Sequence, residues 1–170
     1  MTRNENARTL IAGFVLTASL LGTLPEAKAQ FAPPKFLKTK VAAPAVVTPG
    51  KPFTITVTLL IEKPFHVQSN PPKENYIPTE LKLGALKGFK AGRATYPKPT
   101  EAMTGGEKLP VFEGKVDLKL EVTADASVKP GKYALPLTLS YQGCNDKVCY
   151  PPTSTAFKAN VAVATAKKKG

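Results

Sequence analysis

The chain is 170 residues long, carries a formal net charge of +12, and contains 17 prolines, 12 glycines, two cysteines and no tryptophan. That length suits a single domain with its own core once a leader is removed. The basic excess does not have the layout of nucleic-acid recognition: the lysines are spread along strand faces and turns, only Lys167–Lys169 form a run, and few aromatics are interleaved. It reads as a solvated basic surface, suited to encounters with acidic partners or an anionic membrane.

Residues 1–29 have the organisation of a secretory signal peptide. Arg3 and Arg8 form a positive head, Leu10–Leu24 is an uncharged apolar run, and Ala27 and Ala29 offer the small residues a signal peptidase reads. Cleavage is expected before Gln30. The apolar run falls short of the roughly 20 residues that span a bilayer, and no second run of that length follows, so the mature form is expected to be exported and without a transmembrane span. Residues 30–39 read as a flexible arm, 40–163 as the domain, and 164–170 as a disordered basic tail.

Within the domain the periodicity is two, not 3.6. Extended segments are predicted at Lys40–Val47, Phe53–Ile61, Phe65–Gln68, Thr79–Leu83, Gly92–Tyr96, Lys115–Thr123, Lys132–Gln142 and Phe157–Val163. In the second of these, Phe53, Ile55, Val57, Leu59 and Ile61 share one face and Thr54, Thr56 and Thr58 the other. Val116, Leu118, Leu120 and Val122 alternate with charges in the same way, and Tyr133, Leu135, Leu137, Leu139 and Tyr141 line up in the next strand. Thr48–Pro52 and Lys129–Gly131 supply turn chemistry. Pro136 implies an edge position or a bulge. Segment 97–114 shows no periodicity, carries a Gly pair, and reads as a long loop with a function. These short strands, each with one apolar face, fit an all-β, immunoglobulin-like antiparallel sandwich of seven to nine strands.

Both cysteines lie in Leu139–Ser154, "LSYQGCNDKVCYPPTS", with four residues between Cys144 and Cys149. A static staple is one reading, since exported proteins form disulfides. Closing so short a loop stabilises by only about 2 kcal/mol in the entropic treatment. A labile, exchangeable bridge is the other reading. A copper(I) set could be drawn from the two cysteines, His66 and Met103, but no spacing unites them, and a lone histidine in "KPFHVQSN" reads as an ordinary strand residue. No metal and no cofactor are therefore expected. The spacing is also not the Cys-x-x-Cys that sits at a helix N-terminus, where thiol pKa is lowered. Without such a helix the pair is expected to be weakly activated and to need a partner's thiolate.

"YQGCNDKVCYPP", Tyr141–Pro152, resembles the signature of the N-terminal periplasmic domain of the thiol:disulfide interchange protein DsbD. "FHVQSNPPKENYIPTELKL" (Phe65–Leu83) and "FEGKVDLKLEV" (Phe112–Val122) are similar to other segments of that family, in the same order, so the resemblance covers roughly residues 36–164. It implies an immunoglobulin-like domain with a redox-active pair, exported to the periplasm. Such a domain takes reducing equivalents from a thioredoxin-like donor and passes them to disulfide-bearing acceptors, such as isomerases or cytochrome c maturation proteins. The label protein-disulfide reductase, or interchange component, follows from the same source. By that resemblance Cys149 forms the mixed disulfide and Cys144 resolves it; Phe112 is the aromatic tip of a cap loop over the disulfide; and Tyr141, Gln142, Gly143, Tyr150 and Pro151 surround the pair. Taken singly, Tyr141 continues an apolar face, Gly143 suits a turn and Pro151 ends strand pairing.

Departures from the pattern are visible. The insert Asn145–Val148 is one residue shorter than in the familiar form, Pro110 and Val111 replace acidic residues before the cap aromatic, with Glu107 and Glu113 nearby, and His66 and Gln68 stand where a tyrosine pair is found. The sequence shows neither a membrane domain nor a thioredoxin-like domain, so the electron donor is expected on another polypeptide. The competing class is a non-redox immunoglobulin-like binding or adaptor module with a structural disulfide.

Overall fold

The computed structural model describes residues 34–165. The expected signal peptide, the first part of the arm and residues 166–170 of the tail lie outside them. Twelve strands and no helix are present among the described residues.

Two four-stranded sheets enclose the core. The first contains β1 (Leu37–Ala42), β3 (Pro52–Ile61), β9 (Lys115–Ala124) and β6 (Phe89–Thr95), in the order β1-β3-β9-β6. The second contains β2 (Val46–Val47), β12 (Thr153–Val163), β10 (Gly131–Tyr141) and β5 (Glu80–Leu83), in the order β2-β12-β10-β5. The alternation in the sequence sets which face turns inward, because a one-residue slip would expose every aliphatic. Ile55, Val57 and Leu59 of β3, Leu118, Leu120 and Val122 of β9, and Leu135, Leu137 and Leu139 of β10 are all essentially inaccessible. The threonines of β3 and the charges of β9 face outward. The protein is thus an immunoglobulin-like β-sandwich, antiparallel except where β2 runs parallel to β12 through Ala162↔Val46 and Val163↔Val47.

Three features of the two sheets differ from the sequence expectations. The extended piece 40–47 divides into β1 on one sheet and β2 on the other, with Pro44, which has no N–H to give a ladder, in the crossing. The arm is shorter than expected: β1 begins at Leu37, and Phe36, 2% exposed, belongs to the core. Pro136 lies inside β10, which has neighbours on both sides. Its carbonyl accepts from Gly84 N just past the end of the β5 pairing, so its missing N–H falls on the side where that ladder stops. An edge of pairing, rather than an edge of the sheet, accommodates the ring.

The expected long loop 97–114 is a hairpin. Strands β7 (Thr100–Thr104) and β8 (Glu107–Phe112) pair antiparallel and are joined by Gly105–Gly106, with φ of 56° and 86°. A two-residue connection with both φ positive matches the twist of a hairpin and favours glycine. This hairpin joins a third sheet, in the order β11-β4-β8-β7, with β4 (His66–Gln68) and β11 (Gly143–Cys144).

Candidate functional site: a disulfide on the third sheet

Cys144 and Cys149 form a disulfide, with Cα atoms 4.0 Å apart. The turn between them is satisfied locally. Asn145 N donates to Val148 O at 2.9 Å, while Asn145 Oδ1 accepts from the amides of Lys147 and Val148, also at 2.9 Å. Tyr150 N then donates to Gly143 O at 2.8 Å, and Cys144 and Cys149 face each other as an antiparallel bridge. An asparagine that caps its own turn explains how an insert of four residues suffices. Cys144 is completely buried and Cys149 half-buried, beside the exposed Val148.

The register of the third sheet sorts the neighbouring residues into two faces. Directly opposed residues in an antiparallel pair share a face. Gly143 pairs with Val67, and Val67 with Phe112, so these three turn toward the sandwich core. Cys144 pairs with His66, two residues from Gln68, which pairs with Val111. Cys144, His66, Gln68 and Val111 therefore occupy the opposite face. Leu109 and Val111 are fully buried there, yet neither belongs to the main core.

Phe112 is accordingly not a cap tip. It closes β8 at the base of the hairpin, 2% exposed, and stacks on Tyr96 with centroids 6.5 Å apart and ring planes 7° from parallel. Together they border a surface groove of about 500 Å³ that contains neither cysteine. The element that reaches the cysteine turn is the hairpin's own tip, where Gly105 N donates to Asp146 O at 2.9 Å. Behind the tip, Thr104 Oγ1 lies 2.7 Å from His66 Nε2, and Glu107 accepts from Tyr76 OH at 2.9 Å and pairs with Lys73. The hairpin is held by the cysteine turn on one side and the 69–79 loop on the other. His66 is buried, and desolvation lowers its pKa; the negative charges of Glu113 and Asp146 oppose that shift without reversing it.

The remaining predicted residues divide between the cysteine turn, where Gln142 and Tyr150 are bonded, and the core face, where Tyr141 and Gly143 lie. Gln142 connects three segments, donating to Tyr150 O at 3.3 Å and accepting from Ile77 N at 3.2 Å through its side chain, while its carbonyl accepts from Gln68 N at 3.1 Å. Tyr150 OH accepts from Asn145 Nδ2 at 3.2 Å, and its ring tilts against Phe65. Tyr141 is buried, which pushes its phenol pKa up. Pro151 is exposed, just beyond Tyr150. Gly143 lies in a strand, not at a turn, and a Cβ there would overlap the ring of Phe36. Glycine is needed for that close approach.

The resemblance places Gln68 at one position of a tyrosine pair but does not give it a contact with the sulfurs. Gln68 is fully buried, and its Nε2 lies 3.3 Å from Cys144 Sγ and 4.0 Å from Cys149 Sγ. Its Oε1 has no hydrogen-bond partner among the described residues, an arrangement that costs on the order of 1–3 kcal/mol. Beyond that resemblance, the sequence signal is a polar residue alternating with Val67, which marks a strand face and not what that face meets.

Residues 33–160 match the family described as thiol:disulfide interchange protein DsbD, N-terminal. The chain belongs to that family. Among solved structures, the N-terminal periplasmic domain of ScsB from Proteus mirabilis aligns with a TM-score of 0.53 at 13% identity, over 75% of this chain and 46% of that one. The chain thus spans about half of that ScsB structure, and the likeness is one of fold. The Neisseria meningitidis DsbD N-terminal domain, in its reduced form, aligns with a TM-score of 0.47 at 18% identity, over 73% of this chain and 83% of that one. No curated protein matches the chain. As a DsbD N-terminal domain, the chain carries the family's immunoglobulin-like fold and a disulfide-bonded cysteine pair.

Proposed function

We propose that this chain is a periplasmic relay for thiol–disulfide exchange, exported through the signal peptide of residues 1–29. It receives reducing equivalents from a thioredoxin-like donor and passes them to disulfide-bearing acceptors, those of cytochrome c maturation among them. The observation that carries this reading is the asymmetry of the bridge: one sulfur-bearing residue, Cys144, is sealed, and the other, Cys149, is partly open to a partner. Cys149 is the residue that enters the mixed disulfide, and Cys144 is the one that resolves it. The hairpin tip on the cysteine turn is the cap, the role the sequence resemblance gives to Phe112. Family membership supports exchange with other proteins, and a bridge spanning so short a loop adds little to the stability of a sandwich with this core.

The test is the reduction potential of the Cys144–Cys149 pair, measured by equilibration with glutathione or dithiothreitol and trapping of free thiols. A value of roughly −270 to −180 mV places the pair among exchanging disulfides, whereas one well below about −300 mV marks a structural bridge. The second result would return the chain to the class of immunoglobulin-like binding modules.

A further inference from the structure

The exchange reading leaves a problem at Cys144. A thiol sealed from water has its ionisation disfavoured, yet this sulfur must carry the electron pair when the bridge opens and attack as a thiolate when it closes. The donors around it are few. Cys144 faces His66 across the strand pair, but the His66 Nε2 is engaged with Thr104. Gln68 is the side chain whose polar hydrogen points at the sulfur, at 3.3 Å. A disulfide has no hydrogen to donate, so it is the amide nitrogen, not the carbonyl, that must face it. Gln68 is held in that position by its backbone, with N donating to Gln142 O and its own carbonyl accepting from Thr79 Oγ1. The arrangement leaves Oε1 buried without a partner. A buried amide with an unpaired carbonyl is a poor choice for stability alone, because an apolar side chain of similar volume would serve the packing better.

We infer that Gln68 is a catalytic residue of the exchange reaction, stabilising the Cys144 sulfur through Nε2–H as it departs and returns. The inference rests on the exchange function proposed above. In the opening step a thiolate of the partner dithiol attacks Cys149 Sγ. A partner–Cys149 S–S bond forms, the Cys144–Cys149 bond breaks, and the electron pair leaves on Cys144 Sγ, which accepts from Gln68. The partner's second thiolate then attacks its own sulfur in the mixed disulfide and expels Cys149 as a thiolate. The partner is oxidised by two electrons, the pair is reduced by two, and the two thiolates take up the protons the partner thiols lost. In the closing direction the Cys144 thiolate, held by the same hydrogen bond, attacks the mixed disulfide at Cys149 and expels the acceptor's sulfur.

A hydrogen bond to a charged group alters an ionisation equilibrium by roughly tenfold or more. Gln68→Met keeps the volume and removes the donor. Its Cys144 thiolate fraction at pH 7 should fall about tenfold, partly offset by the greater nucleophilicity of a more basic thiolate, so resolution should slow by roughly threefold. The reduced protein is mixed with oxidised glutathione, quenched with acid at intervals, and the Cys149–glutathione intermediate is quantified by mass. The expected result is an intermediate living at least threefold longer in Gln68→Met, with a Cys144 titration, read from its ¹³Cβ shift, about one pH unit higher. The thermal midpoint should hold or rise, since the unpaired carbonyl is gone. A lower midpoint with unchanged titration and lifetime would assign Gln68 a structural role and overturn the inference. In the unmodified protein, which needs no variant to fold, the Gln68 side-chain amide proton should shift with the Cys144 titration. An amide signal indifferent to that titration would also overturn it. The exchange function fails separately, if excess dithiothreitol leaves the unmodified bridge closed.

Discussion

Replacing Gly143 by alanine should destabilise the oxidised protein through a single ring. An ideal Cβ at this position overlaps Phe36 Cζ and lies 2.8 Å from Cε1 and 3.3 Å from Cε2. Phe36 has little room to yield. It is 2% exposed, stacks on Phe65 with centroids 4.7 Å apart, meets Tyr141 edge-on at 6.2 Å, and is anchored by Glu62 N donating to its carbonyl at 2.9 Å. If the ring shifts within the cluster, the cost is that of overpacking, about 1–3 kcal/mol. If it is expelled, the cost approaches that of Phe36→Ala, about 3–5 kcal/mol. Gly143 does not have a left-handed φ, so its backbone conformation is open to alanine and the collision is the operative effect. A double-mutant cycle separates the two. In a Phe36→Ala background, the alanine at 143 should cost no more than about 0.5 kcal/mol. Urea unfolding of the oxidised proteins followed by far-ultraviolet circular dichroism measures all four corners, a suitable probe for a chain without tryptophan. An alanine penalty equal in both backgrounds would refute the steric account.

Stability should depend on pH through His66, the chain's one histidine. Its folded pKa is lowered by burial, so the unfolded chain binds the proton more readily. The contribution is fully present above the unfolded value near 6.5 and is lost as pH falls below it toward the folded pKa. The urea midpoint should therefore fall between pH 7 and 5.5, and His66→Gln should flatten that slope; equal slopes would contradict the assignment. Glu107→Ala removes the acceptor of Tyr76 OH and the partner of Lys73 at the foot of the hairpin turn. Amide exchange at Gly105, whose N–H is bonded to Asp146 O, should accelerate, and dithiothreitol should reduce the bridge faster; unchanged protection would mean that the tip is held without Glu107.

How the fold could be anticipated follows from particular residues. The inward faces of β3, β9 and β10 are legible because alternation has a period of two, and burial of one face leaves one register for the aliphatics. The cysteine signature is legible because Asn145 and the two cysteines around it are neighbours in the chain, and the turn that Asn145 caps is local. Segment 97–114 was opaque for the opposite reason. Of its buried apolar residues only Phe112 joins the main core; Leu109 and Val111 pack on the third sheet, away from it, and Pro110 between them is paired with Glu101. No apolar stripe announces a strand there.

Composition and periodicity alone were enough for an all-β sandwich with a turn-borne cysteine pair, since both are properties of residues close together in the chain. The environment of that pair required contacts across long separations. Gln68 reaches Cys144 over 76 residues and Thr104 reaches His66 over 38. Phe112 faces the core because it pairs with Val67, and the sulfur faces away because Cys144 pairs with His66. Which face a side chain joins is a matter of strand register, and register between distant strands is settled by packing.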